Sequence, residues 1–308
     1  MAEADLEAAV RALAAGDLVL LPTETVYGLA ADASAPLAVA RIFEAKGRPR
    51  FNPLIAHVED LDAARRIAVF DEAATALARA FWPGPLTLVL PVRDRGLVCD
   101  LARAGLDTVA VRVPGHAKAR EVIARFGRPV VAPSANRSGR PSPTTFRDAV
   151  EETGFAAAAA LDGGDCAVGI ESTVVAVIDG VRLLRPGVVT RAELEAVVGP
   201  LSESGGHEVR SPGRLATHYA PDAPVRIEAD APRAGEAWLG FGPAGPQGEG
   251  VWNLSPAGDL REAAANLFRM LREADRTRPA AIAVAPVPRE GLGEALNDRL
   301  RRAAGHVG

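Results

Sequence analysis

Twice in this chain a short apolar run empties directly into a polar loop, and this pairing constrains the fold more than any other feature. Leu18 to Leu21 runs into Pro22-Thr23-Glu24-Thr25, and Val130 to Ala132 spills into Pro133-Ser134-Ala135-Asn136-Arg137-Ser138-Gly139. Runs this short, bounded by turn residues, read as strands, and polar loops at strand ends are where rigid scaffolds carry sites. Between them the pattern is helical. Residues 3–15 form an amphipathic stretch stopped by Gly16, Pro36 to Ala45 opens with proline in its first turn, and helices are expected near 60–68, 71–81 and 116–126. Further strands are expected at Pro53 to Val58, Leu86 to Val92 (after the stiff turn Trp82-Pro83-Gly84-Pro85) and Val109 to Val113. Thr173 to Ile178 and Val181 to Arg185 form a hairpin through Asp179-Gly180, a pair suited to a type I′ turn, and Thr190-Arg-Ala-Glu193 is a capping box opening the next helix. Strands and helices alternating in this way predict an α/β fold.

At 308 residues, 48% hydrophobic and 24% charged, the chain can bury a full core and is long enough for two unequal domains. From Gly199 to Pro224 it turns rich in Gly, Pro and Ser, which divides it into a first domain over 1–200, a linker over 201–222 and a small C-terminal α/β domain over 223–308. In the last part, strands at 225–228, 236–241 and 280–285 alternate with helices at 259–274 and 291–303. The one low-complexity piece is the alanine run 156–160. A formal charge of -4 argues against a surface built to hold nucleic acid. The acidic start, Met1-Ala-Glu-Ala-Asp, lacks the bases of a signal peptide, and no apolar run spans a membrane, so a cytoplasmic protein is expected. Cys99 and Cys166 have no metal-ligand spacing and read as small buried thiols; no metal site is expected. Gly240-Phe-Gly242-Pro-Ala-Gly245 matches a dinucleotide fingerprint, but Pro243 and Pro246 cannot open the helix that gives the motif its mechanism, so a surface loop is expected there.

Scarce residues point to a site. Lys46 is one of two lysines in a chain whose other 33 cations are arginine. It lies in Lys46-Gly47-Arg48-Pro49-Arg50-Phe51-Asn52, where prolines stiffen a loop dense in positive charge. A compact, strongly hydrated ammonium retained in such a loop suits phosphate. Both tyrosines, Tyr27 and Tyr219, and also Asn52, His57, Asn136 and His218 fall in or beside the polar loops. Arg112, on the otherwise apolar strand Val109 to Val113, needs a partner. Taken singly, Ser134 and Asn136 read as turn formers and His57 as a satisfied core histidine.

Together these stretches resemble the threonylcarbamoyl-AMP synthase family, the YrdC-like proteins. The resemblance rests on Pro22-Thr-Glu-Thr-Val-Tyr-Gly-Leu29, the Lys46-x-Arg48 loop with Asn52-Pro-Leu54, Trp82-Pro-Gly-Pro-Leu-Thr87, Ser134-x-Asn136 and Glu171-Ser-Thr173, and it runs over residues 5–198. Ser211-Pro-Gly213 and His218-Tyr-Ala-Pro221 are similar to the linker of the longer, two-domain branch. The resemblance implies a twisted mixed sheet with flanking helices and a concave basic cleft, followed by a Rossmann-like C-terminal domain. It implies condensation of L-threonine, bicarbonate or CO2, and ATP to threonylcarbamoyl-AMP and pyrophosphate, with Mg2+ carried on the nucleotide phosphates. The product would pass to a tRNA-modifying transferase complex. By motif, threonine would meet Thr25, His57, Arg112, the Ala132 backbone and Ser172. ATP would meet Lys46, Arg48, Asn52, Thr108, Ser134, Asn136, Ser142 and Arg185, with Tyr219 closing from the linker; Lys46 and Arg48 would stabilise charge as pyrophosphate leaves. Two rivals stand beside this reading: a non-catalytic RNA-binding module, opposed by the acidic balance and sparse aromatics, and a carbamoyl-transfer domain of metalloenzyme maturation, opposed by the lack of zinc-finger cysteines.

Overall fold

A computed structural model of the chain describes residues 2–49, 51–202 and 219–305. Arg50, His218 and the Ser211 to Gly213 part of the expected linker lie outside the described residues. The first unit runs α1 (Ala2–Ala14), β1 (Leu18–Leu21), β2 (Gly28–Asp32), α2 (Pro36–Lys46), β3 (Ile55–His57), α3 (Leu61–Ile67), α4 (Glu72–Phe81) and β4 (Leu86–Pro91). It continues with α5 (Asp100–Arg103), β5 (Thr108–Arg112), α6 (Ala117–Phe126), β6 (Val130–Val131), α7 (Phe146–Thr153), β7 (Ala157–Ala160), β8 (Thr173–Val177), β9 (Val181–Arg185) and α8 (Arg191–Val198). Its strands form one mixed sheet in the order β7-β1-β2-β6-β3-β5-β4-β8-β9.

Local chemistry sets most boundaries. The Asp60, Asp71 and Thr145 side chains each accept a backbone N–H from the first turn of α3, α4 and α7, and the Thr190–Glu193 capping box opens α8 as expected. Asp179 and Gly180 take φ of +51° and +108°, the left-handed geometry that a type I′ turn requires between β8 and β9. Two strands of this unit escaped the sequence reading, as did Val251–Asn253 in the second unit. The alanine run 157–160 is an edge strand parallel to β1, and Gly28–Asp32 pairs antiparallel with both β1 and β6. Alanine and glycine carry almost no strand preference, so tertiary pairing decides both.

The two faces of the sheet are unequal. One carries the main core, in which Leu20, Leu29, Ala56, Leu88 and Val111 pack with Ile42 of α2 and Leu77 of α4. On the other, α1 and α6 cover Val19, Leu21, Ala30 and Val130, while Ile55, Val89, Ala110, Val174 and Ala176 form a separate small cluster. That less covered face of β3, β5, β4 and β8 is where the site forms.

The second unit comprises β10 (Val225–Arg226), β11 (Glu236–Gly240), β12 (Val251–Asn253), α9 (Leu260–Arg276), β13 (Ala281–Val284) and α10 (Leu292–Ala303). Its sheet, in the order β10-β13-β11-β12, is parallel throughout, as expected of a Rossmann-like domain. The first strand stops at Arg226, short of the expected 228, because Glu228 turns to a φ of +54°. No helix follows Gly240, and residues 241–250 form a loop, in line with the rejection of a dinucleotide motif. The units share apolar packing: Val26 and Ile170 of the first join Tyr219, Leu267 and Phe268 in one cluster. At the seam Gly169 has a φ of +77°, and a Cβ there would sit 2.4 Å from the Ala264 carbonyl oxygen of α9. Only glycine permits so close an approach.

Candidate active site

Parallel pairing of β3 with β5 sets His57 opposite Arg112 and Ile55 opposite Ala110. Because side chains alternate, this register turns His57 and Arg112 to the less covered face and Ala56 and Val111 into the main core. The partner that Arg112 requires is Glu24, from the loop after β1, with Nη2 donating to Oε1 at 2.6 Å. Nη1 donates to Thr25 Oγ1 at 3.0 Å and Nε to the Gly84 carbonyl at 3.1 Å. A guanidinium has five N–H donors, so two remain for a ligand. Burial alone pushes the Glu24 carboxyl up, but the charge and hydrogen bond of Arg112 and the N–H of Gly115 outweigh it, and the net shift is downward. Gly84 offers its carbonyl from the expected Trp82 to Pro85 turn, where a Cβ would lie 2.4 Å from the Phe81 carbonyl oxygen.

His57 is buried, and burial, with repulsion from Arg112, pushes its pKa down to about 3. Its Nδ1 lies 3.0 Å from the Ile55 carbonyl oxygen. A carbonyl only accepts, so Nδ1 carries the proton and Nε2 presents a lone pair, which suits a ligand hydroxyl and disfavours a carboxylate. Ser172, just before β8, is held by Thr87 Oγ1 at 2.7 Å and by Arg185 Nη2 at 3.2 Å.

Across the cleft, the loop after β6 and the loop after α2 are tied together by Lys46. Its Nζ donates to the carbonyls of Ser134 and Asn136, and the side chain is 3% exposed. Burial and then the neighbouring Arg48 lower its pKa well below the usual lysine range. Burial likewise pushes Arg48 down to about 10, still charged at neutral pH. Arg48 Nη2 donates to the Pro53 carbonyl at 3.3 Å, whereas its buried Nε has no partner among the described residues. A buried cationic donor left unpaired calls for an anionic ligand. Arg185 joins the same wall, its Nε and Nη2 donating to the Ser172 carbonyl at 3.1 and 3.0 Å.

The resulting cleft is open to solvent. Thr25, His57, Arg112, Ala132, Ser172, Arg48, Ser134, Arg185 and Tyr219 all line it. Its three arginines face one wall carboxylate, Glu171, so it is basic. Other expected residues stand behind or beside the wall. Lys46 and Asn136 brace it, Asn52 is buried in the turn before β3, and Ser142 donates to Glu171. Thr108 shares the face of Arg112 but stands at the other end of β5, opposite Pro91. Tyr219 is buried, its ring centroid 5.2 Å from that of Phe268. Sequence reasoning missed Glu24, Thr87 and Glu171 as working parts, although each sits in a quoted motif. Cys99 and Cys166 are free and buried, as expected.

The family described as "Telomere recombination", Sua5/YciO/YrdC, matches residues 11–187, and "Threonylcarbamoyl-AMP synthase, C-terminal domain" matches 189–305. The chain is 41% identical to threonylcarbamoyl-AMP synthase of Pyrococcus abyssi, over 94% of this chain and 91% of that protein. It is 38% identical to the Bacillus subtilis enzyme of the same name, over 94% and 90%. The crystal structure of P. abyssi Sua5 complexed with L-threonine superposes with a TM-score of 0.89 at 38% identity, covering 98% of this chain and 94% of that one. With both units matched in order and over nearly their whole lengths, the chain belongs to the threonylcarbamoyl-AMP synthase family, in its two-domain, Sua5 form.

Proposed function

We propose that this chain is an L-threonylcarbamoyladenylate synthase that condenses L-threonine, bicarbonate or CO2, and ATP to threonylcarbamoyl-AMP and pyrophosphate. The observation that carries the reading is one cleft lined both by a fork with a neutral imidazole, Arg112 and His57, and by Arg48, whose buried Nε is unpaired among the described residues. The spare N–H groups of Arg112 bind the threonine carboxylate, His57 Nε2 accepts from the threonine hydroxyl, and Thr25, Ser172 and the Ala132 backbone complete the pocket. Arg48 and Arg185 meet the phosphates, with Lys46, Ser134, Asn136, Asn52, Ser142, Thr108 and Tyr219 forming or bracing the nucleotide side.

The threonine nitrogen adds its lone pair to the carbon of CO2 and loses a proton, giving an N-carboxylate. One of its oxygens then attacks the α-phosphorus of ATP, and the bond to the bridging oxygen breaks as pyrophosphate leaves. No side chain acts as nucleophile. Catalysis consists of holding two reactants in line and meeting the negative charge that develops on the leaving group, the work of Arg48 and Lys46. Magnesium supplies charge to the phosphates when bound. Glu171 is the one carboxylate of the wall, and it is engaged by Ser142 and Arg299, so the donors do not form a resident metal site. The reading places the reaction in the cytoplasm, with the product consumed by a tRNA-modifying transferase complex. Pyrophosphate release measured with threonine, bicarbonate and ATP each omitted in turn tests it: release should require all three, and release that persists without threonine contradicts it.

A further inference from the structure

Helix α9 has two working stripes. Ala263, Ala264, Leu267, Phe268 and Leu271 are buried in the C-terminal core, while Arg272, Asp275 and Arg276 face the first unit. Arg272 is 5% exposed and its Nη1 donates to Glu152 Oε1 of α7 at 2.9 Å. The other oxygen of Glu152 accepts the backbone N–H of Arg137 at 2.9 Å, and Arg272 Nη2 donates to the Pro141 carbonyl. Asp275 receives Nη2 of Arg140 at 3.3 Å. From α10 comes a second buried arginine, Arg299, whose Nε donates to Glu171 Oε2 at 3.0 Å. Glu171 in turn accepts from Ser142 Oγ, and the Arg299 guanidinium stands 5.5 Å from the Tyr219 ring centroid.

Apart from the Tyr219 contact, these interactions converge on one segment, the loop 134–142, whose Ser134 and Asn136 carbonyls hold the ammonium of Lys46. We propose that Arg272 and Arg299 are positioning residues for the nucleotide half of the site: the C-terminal domain sets the loop 134–142, and through it Lys46, by gripping its 137–142 part through Glu152 and Glu171. A buried ion pair adds little net stability over apolar packing of the same volume, so stability alone does not account for two of them at one seam. What they provide is fixed geometry, because each carboxylate spends its second oxygen on the loop. Arg272 reaches the loop through Glu152 and Pro141, neither of which lines the cleft beside Arg112 and His57, so its loss acts on ATP and spares threonine, whereas Arg299 holds Glu171, the neighbour of Ser172.

The inference rests on the assignment of ATP to Lys46, Arg48 and the loop 134–142, and the test separates the two. In the full-length protein, Arg272→Met and Arg299→Met are compared with Arg299→Lys for the KM of ATP, the KM of threonine, and threonine binding by calorimetry. Loosening one charge-assisted grip should raise the KM of ATP roughly tenfold or more, with threonine binding held within about twofold in Arg272→Met, and the loss in Arg299→Met should be partly rescued by Arg299→Lys. An unchanged KM for ATP in a folded variant overturns the proposal, as does equal weakening toward both substrates in Arg272→Met. If Arg299→Met does not fold, Arg272→Met gives the same readout, since it grips the same loop. Wild-type protein without threonine-dependent pyrophosphate release instead overturns the functional reading.

Discussion

Replacing Lys46 by methionine removes an ammonium while keeping an unbranched side chain in a position only 3% exposed. Two consequences separate cleanly. The carbonyls of Ser134 and Asn136 lose charge-assisted hydrogen bonds worth roughly 1.5–3 kcal/mol each, but the fold no longer buries a cation, whose effective cost is several kcal/mol. These oppose one another, so stability should change by no more than about 2 kcal/mol. Nothing offsets the loss during reaction, where one charge donor to the leaving pyrophosphate is worth roughly 100- to 1000-fold in turnover. Pyrophosphate release and the melting temperature are measured on the same preparation. Turnover should collapse while Tm moves by only a few degrees, and Lys46→Arg, which keeps the charge but replaces a point donor by a planar fork, should recover part of the loss. A folded methionine variant that retains a third of wild-type turnover, or whose loss merely tracks the unfolded fraction, would refute the assignment.

Arg112→Lys keeps a charge beside Glu24 but surrenders the fork, so the KM of threonine should rise by roughly 10- to 100-fold with the KM of ATP unchanged; steady-state titration of each substrate decides, and a shared shift removes Arg112 from the carboxylate pocket. His57 titrates near 3 when folded against an ordinary 6.5, so the unfolded chain binds the extra proton between those values. Its contribution to stability is therefore complete above pH 6.5 and falls by about 1.4 kcal/mol per unit as pH drops toward 3. Urea midpoints of wild type and His57→Gln should converge over that window, and parallel curves contradict the buried neutral imidazole. Burial lowers the Lys46 pKa, and an arriving triphosphate raises it, so ATP binds with proton uptake and its KM should climb as pH rises through the Lys46 pKa of the free enzyme. A KM for ATP that is flat on the alkaline side, where Lys46→Met is also flat, counts against it.

How much of this was legible depended on the range over which each residue acts. Alternation along Val109–Val113 turned Arg112 away from the core and demanded a partner, but could not name Glu24, 88 residues away. The Thr190–Glu193 capping box, the Asp179-Gly180 hairpin and the closing helix follow from neighbours within a few positions and appear as read, whereas the Asp60, Asp71 and Thr145 caps were not singled out. Gly28–Asp32 and Ala157–Ala160 escaped because their strand character is conferred by the strands beside them. The ordered loops pointed to threonine and ATP only through a resemblance, since Ser134, Asn136 and His57 taken singly are ordinary turn and core residues. The C-terminal arginines carried no local signal at all. Arg272 and Arg299 sit on amphipathic helices like any other charge, and their roles emerge only where they meet Glu152 and Glu171 across 120 and 128 residues.

The central claim concerns which bonds are made, and the product answers it most directly. The enzyme is incubated with ATP, L-threonine and 13C-bicarbonate, quenched quickly and analysed by mass spectrometry. The account predicts an adenylate that contains threonine and gains one mass unit from the labelled carbon, with pyrophosphate in equal amount. Threonine joined to AMP without that carbon, or ADP and phosphate in place of pyrophosphate, would contradict it.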